Sequence, residues 1–219
     1  MLKLENLCYR YNKSTVDVLK GVSAEFKAGK INAIVGPSGS GKTTLLSIMA
    51  GMDTPMVGEI SIDGKNLAEM DLNQYRRESV SMIFQAFHLF PLLTVVENVC
   101  YPMEAVGVSV EDAVDKAKSL LESVGISKDK HNRYPANLSG GEQQRVAIAR
   151  ALSVGAKVIL ADEPTGNLDI DNGNAVMEIL QKLAHEHDYC IVIVTHNPEI
   201  AEASDVVFRM KAGELKQAS

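Results

Sequence analysis

Residues 31–44 read INAIVGPSGSGKTT and carry the strongest signal in the 219-residue chain. The apolar run Ile31–Val35 predicts a buried strand, and a helical pattern follows from Lys42 to Ala50 and stops at Gly51. This order predicts a turn whose backbone N–H groups converge on phosphate oxygens at the positive end of a helix. Eight residues fill the pattern G-x-x-x-x-G-K-[ST], namely Gly36, Pro37, Ser38, Gly39, Ser40, Gly41, Lys42 and Thr43.

Two side chains of this loop suit a nucleoside triphosphate and its metal ion. Lys42 is placed to reach the β- and γ-phosphates as a point charge, and the Thr43 hydroxyl is placed to take one magnesium position. By residue frequency alone the pattern arises in roughly one chain in a hundred of this length. Here the pattern also lies between a predicted strand and a predicted helix. This context favours a phosphate-binding loop over an ordinary glycine turn.

The composition argues against several other classes of protein. Hydrophobic residues make up 46% of the chain, and 22 Lys and Arg against 28 Asp and Glu leave a net charge of −6. Because that charge repels phosphate backbones, we expect no nucleic-acid partner. Cys8, Cys100 and Cys190 lie far apart with no C-x-x-C pair, which fits neither a disulfide framework nor a zinc site and predicts buried thiols. The charged first residues do not fit a signal peptide, so we expect a cytoplasmic protein.

The rest of the chain has the pattern of an α/β protein. Short alternating runs predict strands at Leu2–Tyr9, Val18–Phe26 and Glu59–Ile62, and apolar spacing predicts a helix over Val110–Val124 that stops at Gly125. After Pro135, helices alternate with strands that are apolar on both faces, which argues for a parallel sheet covered on both sides. The predicted segments are a helix over about 140–152, a strand at Val158–Ala161, a helix over about 173–185, a strand at Ile191–Val194, and a closing strand and turn at Val206–Gly213 before a short polar tail.

The run Ser79–Val96 contains no charged residue and is long enough to span a bilayer. It includes Gln85, His88 and Pro91, and polar groups and a central proline are costly in hydrocarbon. We therefore predict a buried strand followed by a loop here, and no transmembrane helix.

An acidic pair, Asp162 and Glu163, follows the predicted strand Val158–Ala161. Ligands of open α/β sheets bind at this carboxyl edge. Asp162 would bind magnesium directly or through water, and Glu163 is placed to polarise an attacking water. Alone, such a pair is more often a helix cap or a solvated turn, but the phosphate loop in the same chain reverses that preference.

A second candidate phosphate-binding helix start reads LSGGEQQR at residues 138–145. Ser139 and Glu142 have the spacing of a capping box, which by itself would explain a well-started helix. The cap does not require Gly140 and Gly141, each of which weakens a helix by about 1 kcal/mol relative to alanine. We expect the two glycines to allow the close approach of another backbone or of an anion.

Together these motifs resemble the nucleotide-binding subunit of ATP-binding cassette (ABC) transporters, and LSGGEQQR is highly specific to that family. The resemblance covers essentially the whole chain. It implies an α/β phosphate-loop NTPase fold with a mixed or parallel sheet core, an N-terminal antiparallel β subdomain and an inserted α-helical subdomain. The chain would form one domain, 1–219, with the core and β subdomain in 1–84 and 156–219 and the helical subdomain and signature in 85–155.

The resemblance also implies roles for particular residues, with ATP and Mg²⁺ as cofactors. The aromatic residue that contacts the nucleotide could be Tyr9 instead of Tyr11, or Tyr11 could be an aromatic of the sheet surface. His196 could instead be a helix cap or a core residue. The implied catalytic residues are Lys42, Gln85, Glu163 and His196, and the implied magnesium ligands are Thr43, Gln85 and Asp162. The implied nucleotide contacts are Tyr11, Gly36 to Thr44, Gln85, His196, the signature residues Ser139, Gly140, Gly141 and Glu142, and Asp169 of the D-loop.

The implied partners are a second copy of the chain or a paralogue, in a head-to-tail dimer around two ATP molecules, and a membrane permease contacted near Phe87–Leu93. Some of those apolar residues could instead belong to the core. The chain would lie on the inner face of the cell membrane. Its sequence most resembles the group that serves lipoprotein release, macrolide and antimicrobial-peptide export and cell division, which implies a bacterial exporter or mechanotransmission system.

Two other functions compete with this interpretation. A soluble ABC ATPase of DNA repair or translation typically carries two cassettes, a coiled-coil insertion or zinc modules, and this sequence contains one phosphate loop and no cysteine cluster. A scaffold that uses ATP only to dimerise would be expected to lack Glu163 or His196, and both are present.

Overall fold

The computed structural model describes residues 1–12 and 14–218. In that part of the chain the strands are β1 (Leu2–Tyr9), β2 (Leu19–Phe26), β3 (Lys30–Val35), β4 (Val57–Ile62), β5 (Lys65–Asn66), β6 (Val80–Phe84), β7 (Val158–Asp162), β8 (Cys190–Thr195), β9 (Val206–Lys211) and β10 (Glu214–Gln217). The α-helices are α1 (Lys42–Met49), α2 (Leu72–Glu78), α3 (Val95–Ala105), α4 (Val110–Ser123), α5 (Gly140–Leu152), α6 (Ile170–His187) and α7 (Pro198–Glu202).

The central sheet has the strand order β10-β9-β3-β8-β7-β6. Every neighbouring pair is parallel except β9 and β10, which form an antiparallel hairpin. Consecutive residues of one strand pack into opposite layers of the core: Ile159 faces the helices α3 to α6, and Leu160 faces α1 and the N-terminal sheet. The prediction of a parallel sheet covered on both faces is confirmed.

The N-terminal sheet has the order β2-β1-β4-β5, and all of its neighbouring pairs are antiparallel. Its inward residues, such as Leu4, Val22 and Ile60, pack with Leu45 and Leu46 of α1 against the central sheet. The phosphate loop and its helix are therefore held between two sheets.

The middle of the chain is helical, as its apolar spacing predicts. Ala113, Ala117 and Leu121 of α4 are fully buried, and the helix ends before Gly125, which has a φ of 78°. Thr94 caps α3 through a capping box with Glu97. The division of the chain at 84/85 and 155/156 stays a prediction.

Several boundaries differ from those expected, each for a local reason. Helix α6 begins at Ile170 rather than near residue 173, because the Asp169 carboxylate accepts the N–H of Asn172 and caps it. The residues predicted as a short polar tail form strand β10. Residues 212 and 213 both have positive φ and turn the chain so that β10 pairs with β9. Helix α2, which Asp71 caps, was not predicted from the sequence.

The charge-free run 79–96 contains β6, a loop and the first two residues of α3. The predicted buried strand is confirmed, whereas the predicted loop gives way to a helix at its last two residues. Within residues 1–12 and 14–218, every helix is too short or too polar to cross a bilayer.

Candidate functional site

A cavity of about 750 Å³ opens at the carboxyl edge of the central sheet. Most of the residues expected to contact nucleotide or metal come together here, although they arise from five separate parts of the sequence. Its lining residues are Tyr11, Val18, Ser38, Gly39, Gly41, Lys42, Thr43, Thr44, Gln85, Asp162, Glu163, Val194 and His196.

The phosphate loop has no room for side chains at two of its glycines. A Cβ on Gly36 would lie 2.1 Å from the Met210 carbonyl oxygen. Gly41 has a φ of 107°, and its Cβ would lie 3.0 Å from the Val18 carbonyl oxygen. Glycine is therefore required where the loop passes between β9 and the start of β2.

The groups around the phosphate loop favour the binding of an anion. Helix α1 begins at Lys42 without a side-chain cap among the described residues, so its first N–H groups have no capping partner there, and the residues that carry them, Lys42, Thr43 and Thr44, line the cavity. The Lys42 ammonium donates to the carbonyl oxygens of Gly36, at 2.8 Å, and Pro37, at 3.0 Å. These neutral acceptors hold the cation over the loop and can be exchanged for phosphate oxygens.

Opposite the loop, the Glu163 carboxylate is held by groups at the end of β8. The His196 Nδ1 lies 2.6 Å from Glu163 Oε1, and the Thr195 hydroxyl donates to Oε2 at 2.9 Å. Glu163 has a φ of 47°, a left-handed conformation that is uncommon for residues other than glycine, and its N–H donates to the Val194 carbonyl oxygen. Such strain collects at functional sites.

Asp162 ends β7 beside this carboxylate. Burial, and next the negative charge of Glu163, raise the pKa of Asp162, while a hydrogen bond from Thr43 and the charge of Lys42 oppose the rise. Two neighbouring carboxyl groups in a partly buried cavity favour a cation between them and an anionic ligand. The Thr43 hydroxyl, the Gln85 amide and the Asp162 carboxylate supply the hard oxygen donors that Mg²⁺ prefers, so these residues fit that ion.

Gln85 follows β6 and joins it to the turn after Glu163. Its Nε2 donates to Asn167 Oδ1 at 3.2 Å, and Asn167 Nδ2 donates back to the Gln85 carbonyl oxygen at 2.9 Å. A Cβ on Gly166 would lie 2.8 Å from Gln85 Nε2, so that glycine makes room for the amide.

Of the two aromatic candidates, Tyr11 lines the cavity and Tyr9 does not. The Tyr11 side chain is half exposed, and its hydroxyl lies 2.8 Å from the Thr44 hydroxyl. The Tyr9 ring is buried and packs edge-on against Tyr11, with ring centroids 5.1 Å apart.

The signature lies at the start of α5 and forms the capping box that its spacing predicts: Ser139 accepts the N–H of Glu142, whose carboxylate accepts the N–H of Ser139. Glu142 also pairs with Lys130, and chiefly this hydrogen bond lowers the pKa of Glu142 to about 2. Because its oxygens are engaged within the chain, the geometry favours a structural role for Glu142 over the expected nucleotide contact.

The two signature glycines have different surroundings. A Cβ on Gly141 would lie 2.1 Å from Asn172 Oδ1, whereas a Cβ on Gly140 would make ordinary contacts. We expected both to admit another backbone or an anion, and that expectation stays a prediction. For Gly141 the structure adds a second reason for glycine, because it makes room for a side chain of α6.

Neither the signature nor Asp169 lines the cavity that holds the phosphate loop. Ser139 and Asp169 are exposed, and the Asp169 carboxylate accepts hydrogen bonds from Asn172. The expected site residues therefore lie on two separate surfaces of one chain.

Sequence reasoning missed two residues that shape the site. Thr195 is the one polar residue at the end of an apolar strand, which was an available signal. Arg150 donates to the carbonyl oxygens of Phe87, at 3.0 Å, and His88, at 2.6 Å, both of which have positive φ. The only sign of Arg150 in the sequence was a cationic residue within an apolar part of the predicted helix, a part that is otherwise buried in the structure.

The fold and the cavity define a phosphate-loop nucleoside triphosphatase. The sequence pattern of the family described as ABC transporter matches residues 19–166. The chain is 38% identical over 215 residues to the uncharacterized ABC transporter ATP-binding protein YclH of Bacillus subtilis, covering 98% of this chain and 95% of YclH. It is 42% identical to the macrolide export ATP-binding/permease protein MacB of Escherichia coli K12, covering 98% of this chain and 34% of MacB.

Solved structures give the same result. The ATP-binding cassette MJ0796, solved as a dimer in a post-hydrolysis state bound to ADP and Pi, has a TM-score of 0.89 and 37% identity, covering 100% of this chain and 98% of that chain. CbiO1 from Clostridium perfringens, part of the CbiONQ transporter complex, has a TM-score of 0.90 and 30% identity, covering 99% and 87%.

The chain therefore belongs to the ABC transporter family. It is an ATP-binding and ATP-hydrolysing transporter subunit, not an ATPase of DNA repair or translation.

Proposed function

We propose that two copies of this chain, or one copy and a paralogue, close around two ATP molecules, and that hydrolysis drives a membrane permease. The observation that carries the proposal is the separation of the site into two surfaces: the catalytic groups line the cavity, and the signature lies outside it. A second copy supplies the missing surface. The dimeric form of MJ0796 with ADP and Pi supports this arrangement.

In each site, we assign adenine stacking to Tyr11 and phosphate binding to the loop from Gly36 to Thr44, with Lys42 at the β- and γ-phosphates. Thr43, Gln85 and Asp162 would hold Mg²⁺, which neutralises phosphate charge when bound. Ser139 and Gly140 of one copy would face the γ-phosphate held by the other, with Asp169 beside them.

Glu163 acts as the general base for the attacking water in this proposal. Its carboxylate can be aimed because His196 and Thr195 hold one oxygen each, at 2.6 and 2.9 Å. His196 is exposed at the mouth of the cavity, so it can exchange its contact with Glu163 for a γ-phosphate oxygen.

We place the permease contact on a groove beside the loop that follows Gln85. Phe90 and Tyr101 line it, each about half exposed, with ring centroids 4.8 Å apart. Leu89 packs against the core, so only part of the expected segment Phe87–Leu93 is available. The chain would then lie on the inner face of the cell membrane, and its likeness to MacB favours an export or mechanotransmission system over an importer.

The substitution Glu163→Gln tests the catalytic assignment. We expect ATP binding to persist, hydrolysis to fall about a hundredfold or more, and an ATP-dependent dimer to accumulate on size-exclusion chromatography. Glu199→Gln removes an exposed carboxylate of α7 and serves as the control, with wild-type hydrolysis expected. Unchanged hydrolysis by Glu163→Gln would remove Glu163 from the role of base.

Mixing two inactive variants tests whether the site is shared between copies. Lys42→Ala removes the phosphate contact, and Ser139→Arg blocks the signature surface. A dimer of one copy of each retains one intact site, because the Lys42 of the second variant meets the Ser139 of the first. We expect the mixture to hydrolyse ATP faster than either variant alone. No gain on mixing, with both variants folded, would contradict a shared site.

A further inference from the structure

The first turn of helix α5 carries a negative charge that is unfavourable on a surface facing phosphate. In the proposed dimer, Ser139 and Gly140 face the γ-phosphate held by the other copy, and Glu142 follows two residues after Gly140. The positive end of a helix attracts an anion, but a full negative charge in its first turn opposes that attraction. The capping box explains why a carboxylate is present, since Glu142 Oε2 accepts the Ser139 N–H at 2.8 Å. The cap does not explain how a triphosphate could approach it.

Lys130 compensates the charge of Glu142. It ends the short 3-10 helix Lys128–Lys130, between α4 and α5, and its ammonium pairs with Glu142 Oε1. Within residues 1–12 and 14–218 it is the only cation that lies within 4.0 Å of this carboxylate. The Glu142 side chain is 16% exposed and the Lys130 side chain 30% exposed, so water screens this pair less than it screens a fully exposed one. The two side chains together add no net charge beside the signature.

We propose that Lys130 is a positioning residue of the shared ATP site, whose charge cancels that of Glu142 and so lets the signature of one copy approach the γ-phosphate held by the other. This inference rests on the proposed function. Each chain has a net charge of −6, and closure of the dimer also brings two triphosphates between the copies. An uncompensated carboxylate at each signature would therefore oppose closure directly.

A purely structural role for the pair makes a different prediction. If the pair only fastened the loop before α5 to the helix, removal of either partner would break the same contact and weaken the dimer. If its charge balance matters, removal of Lys130 exposes a negative charge, whereas removal of the Glu142 charge leaves a free cation beside the phosphate. Glutamine at position 142 keeps the cap, because its carbonyl oxygen can still accept the Ser139 N–H. The two substitutions should therefore act in opposite directions.

The test measures the dissociation constant of the dimer by analytical ultracentrifugation at saturating ATP and Mg²⁺. Every variant is made in the Glu163→Gln protein, which is the parent because it does not consume the ATP. We expect Lys130→Met to weaken the dimer about tenfold and Glu142→Gln to strengthen it about threefold. The double variant, Lys130→Met with Glu142→Gln, should return to within about twofold of the parent, because it restores the charge balance. Lys130→Arg keeps the charge and should dimerise as the parent does.

Lys128→Met is the matched control. It makes the same change in net charge on the same 3-10 helix, but the Lys128 side chain is 80% exposed and pairs with Glu122 of α4. We expect it to dimerise as the parent does. Titration of dilute, monomeric protein with a fluorescent ATP analogue should give the parent's affinity for all of these variants, because neither Lys130 nor Glu142 lines the nucleotide cavity.

The outcomes separate failure of this inference from failure of the proposed function. Weaker dimers from both Lys130→Met and Glu142→Gln would overturn the inference in favour of a structural clamp. An equal loss from Lys128→Met would show that the total charge of the chain, and not this pair, sets dimer affinity. If the parent dimerises with ATP and Lys130→Met does so equally well, this inference alone is wrong. If the parent forms no dimer with ATP, the proposed function and this inference both fall.

Discussion

Replacing Gly36 by alanine probes how tightly the phosphate loop is enclosed. Gly36 has no left-handed φ, so alanine is compatible with its backbone, and the conflict is one of space alone. The new Cβ would lie 2.1 Å from the Met210 carbonyl oxygen, which belongs to the backbone of β9 and cannot rotate away as a side chain would. The loop and β9 must therefore separate by about 1 Å.

Overpacking of this kind costs about 1–3 kcal/mol in the free energy of unfolding. For a chain of this length, about 2 kcal/mol lowers the melting temperature by about 4–8 °C. Nucleotide binding should suffer more, because hydrogen bonds from the loop N–H groups weaken steeply when their geometry is displaced. We expect ATP affinity to fall by about a hundredfold.

Gly155→Ala is the matched control. Gly155 has a φ of 78° and open space around its Cβ position, so alanine there meets backbone strain and no neighbour. We expect a loss of about 1 kcal/mol in stability and unchanged ATP affinity. Thermal unfolding and titration with a fluorescent ATP analogue measure both quantities. A Gly36→Ala protein that melts and binds ATP as the wild type does would refute the enclosure of the loop by β9.

Three other predictions follow from the same geometry. Tyr11→Ala should weaken ATP binding by about 1–3 kcal/mol through lost stacking, and Tyr11→Phe should keep most of it, as fluorescence titration would show; equal losses would exclude stacking. Lys42→Ala should lose ATP affinity with little change in melting temperature, because its present acceptors are neutral carbonyls; unchanged affinity would contradict the phosphate contact. Glu142→Gln should lower the free energy of unfolding at neutral pH by about 1–2 kcal/mol. This loss is smaller than the lowered pKa of Glu142 would give by itself, because water reaches Lys130 and weakens the ion pair. Since the folded-state pKa of Glu142 is about 2, the difference between wild type and Glu142→Gln should be full above pH 4.5 and should shrink as the pH falls toward 2; a pH-independent difference in chemical denaturation would exclude the ion pair.

The elements best predicted from the sequence are those whose signal is continuous. The phosphate loop, α4, α5 and the apolar strands β7 and β8 each carry their whole pattern within about a dozen residues, so their existence and type could be read directly. Boundaries were less accurate where a single side chain sets them. The start of α6 depends on the Asp169 cap, and β10 forms only because the turn at Gly213 returns the chain to β9.

The site could be predicted in part. The residues that line the cavity could be predicted from the motifs. Backbone conformation and phosphate chemistry restrict which residue types can occupy a phosphate loop or the end of a strand beside it. The use of Gly141 could not be predicted, since the atom that requires it, Asn172 Oδ1, lies on another helix. The groove residues Arg77 and Arg150 carry no motif, and only packing brings them together.

By itself, the sequence determined the class of this protein: a glycine loop, an acidic strand end and a signature helix have local chemistry that few folds use. The tertiary structure alone decided which of those groups meet. It brought Lys42, Glu163 and His196 into one cavity, because the carboxyl ends of parallel strands share an edge, and it left Ser139 on another surface. The physical reason is that contacts between distant residues depend on how sheets and helices pack, and that packing is set by the whole core at once.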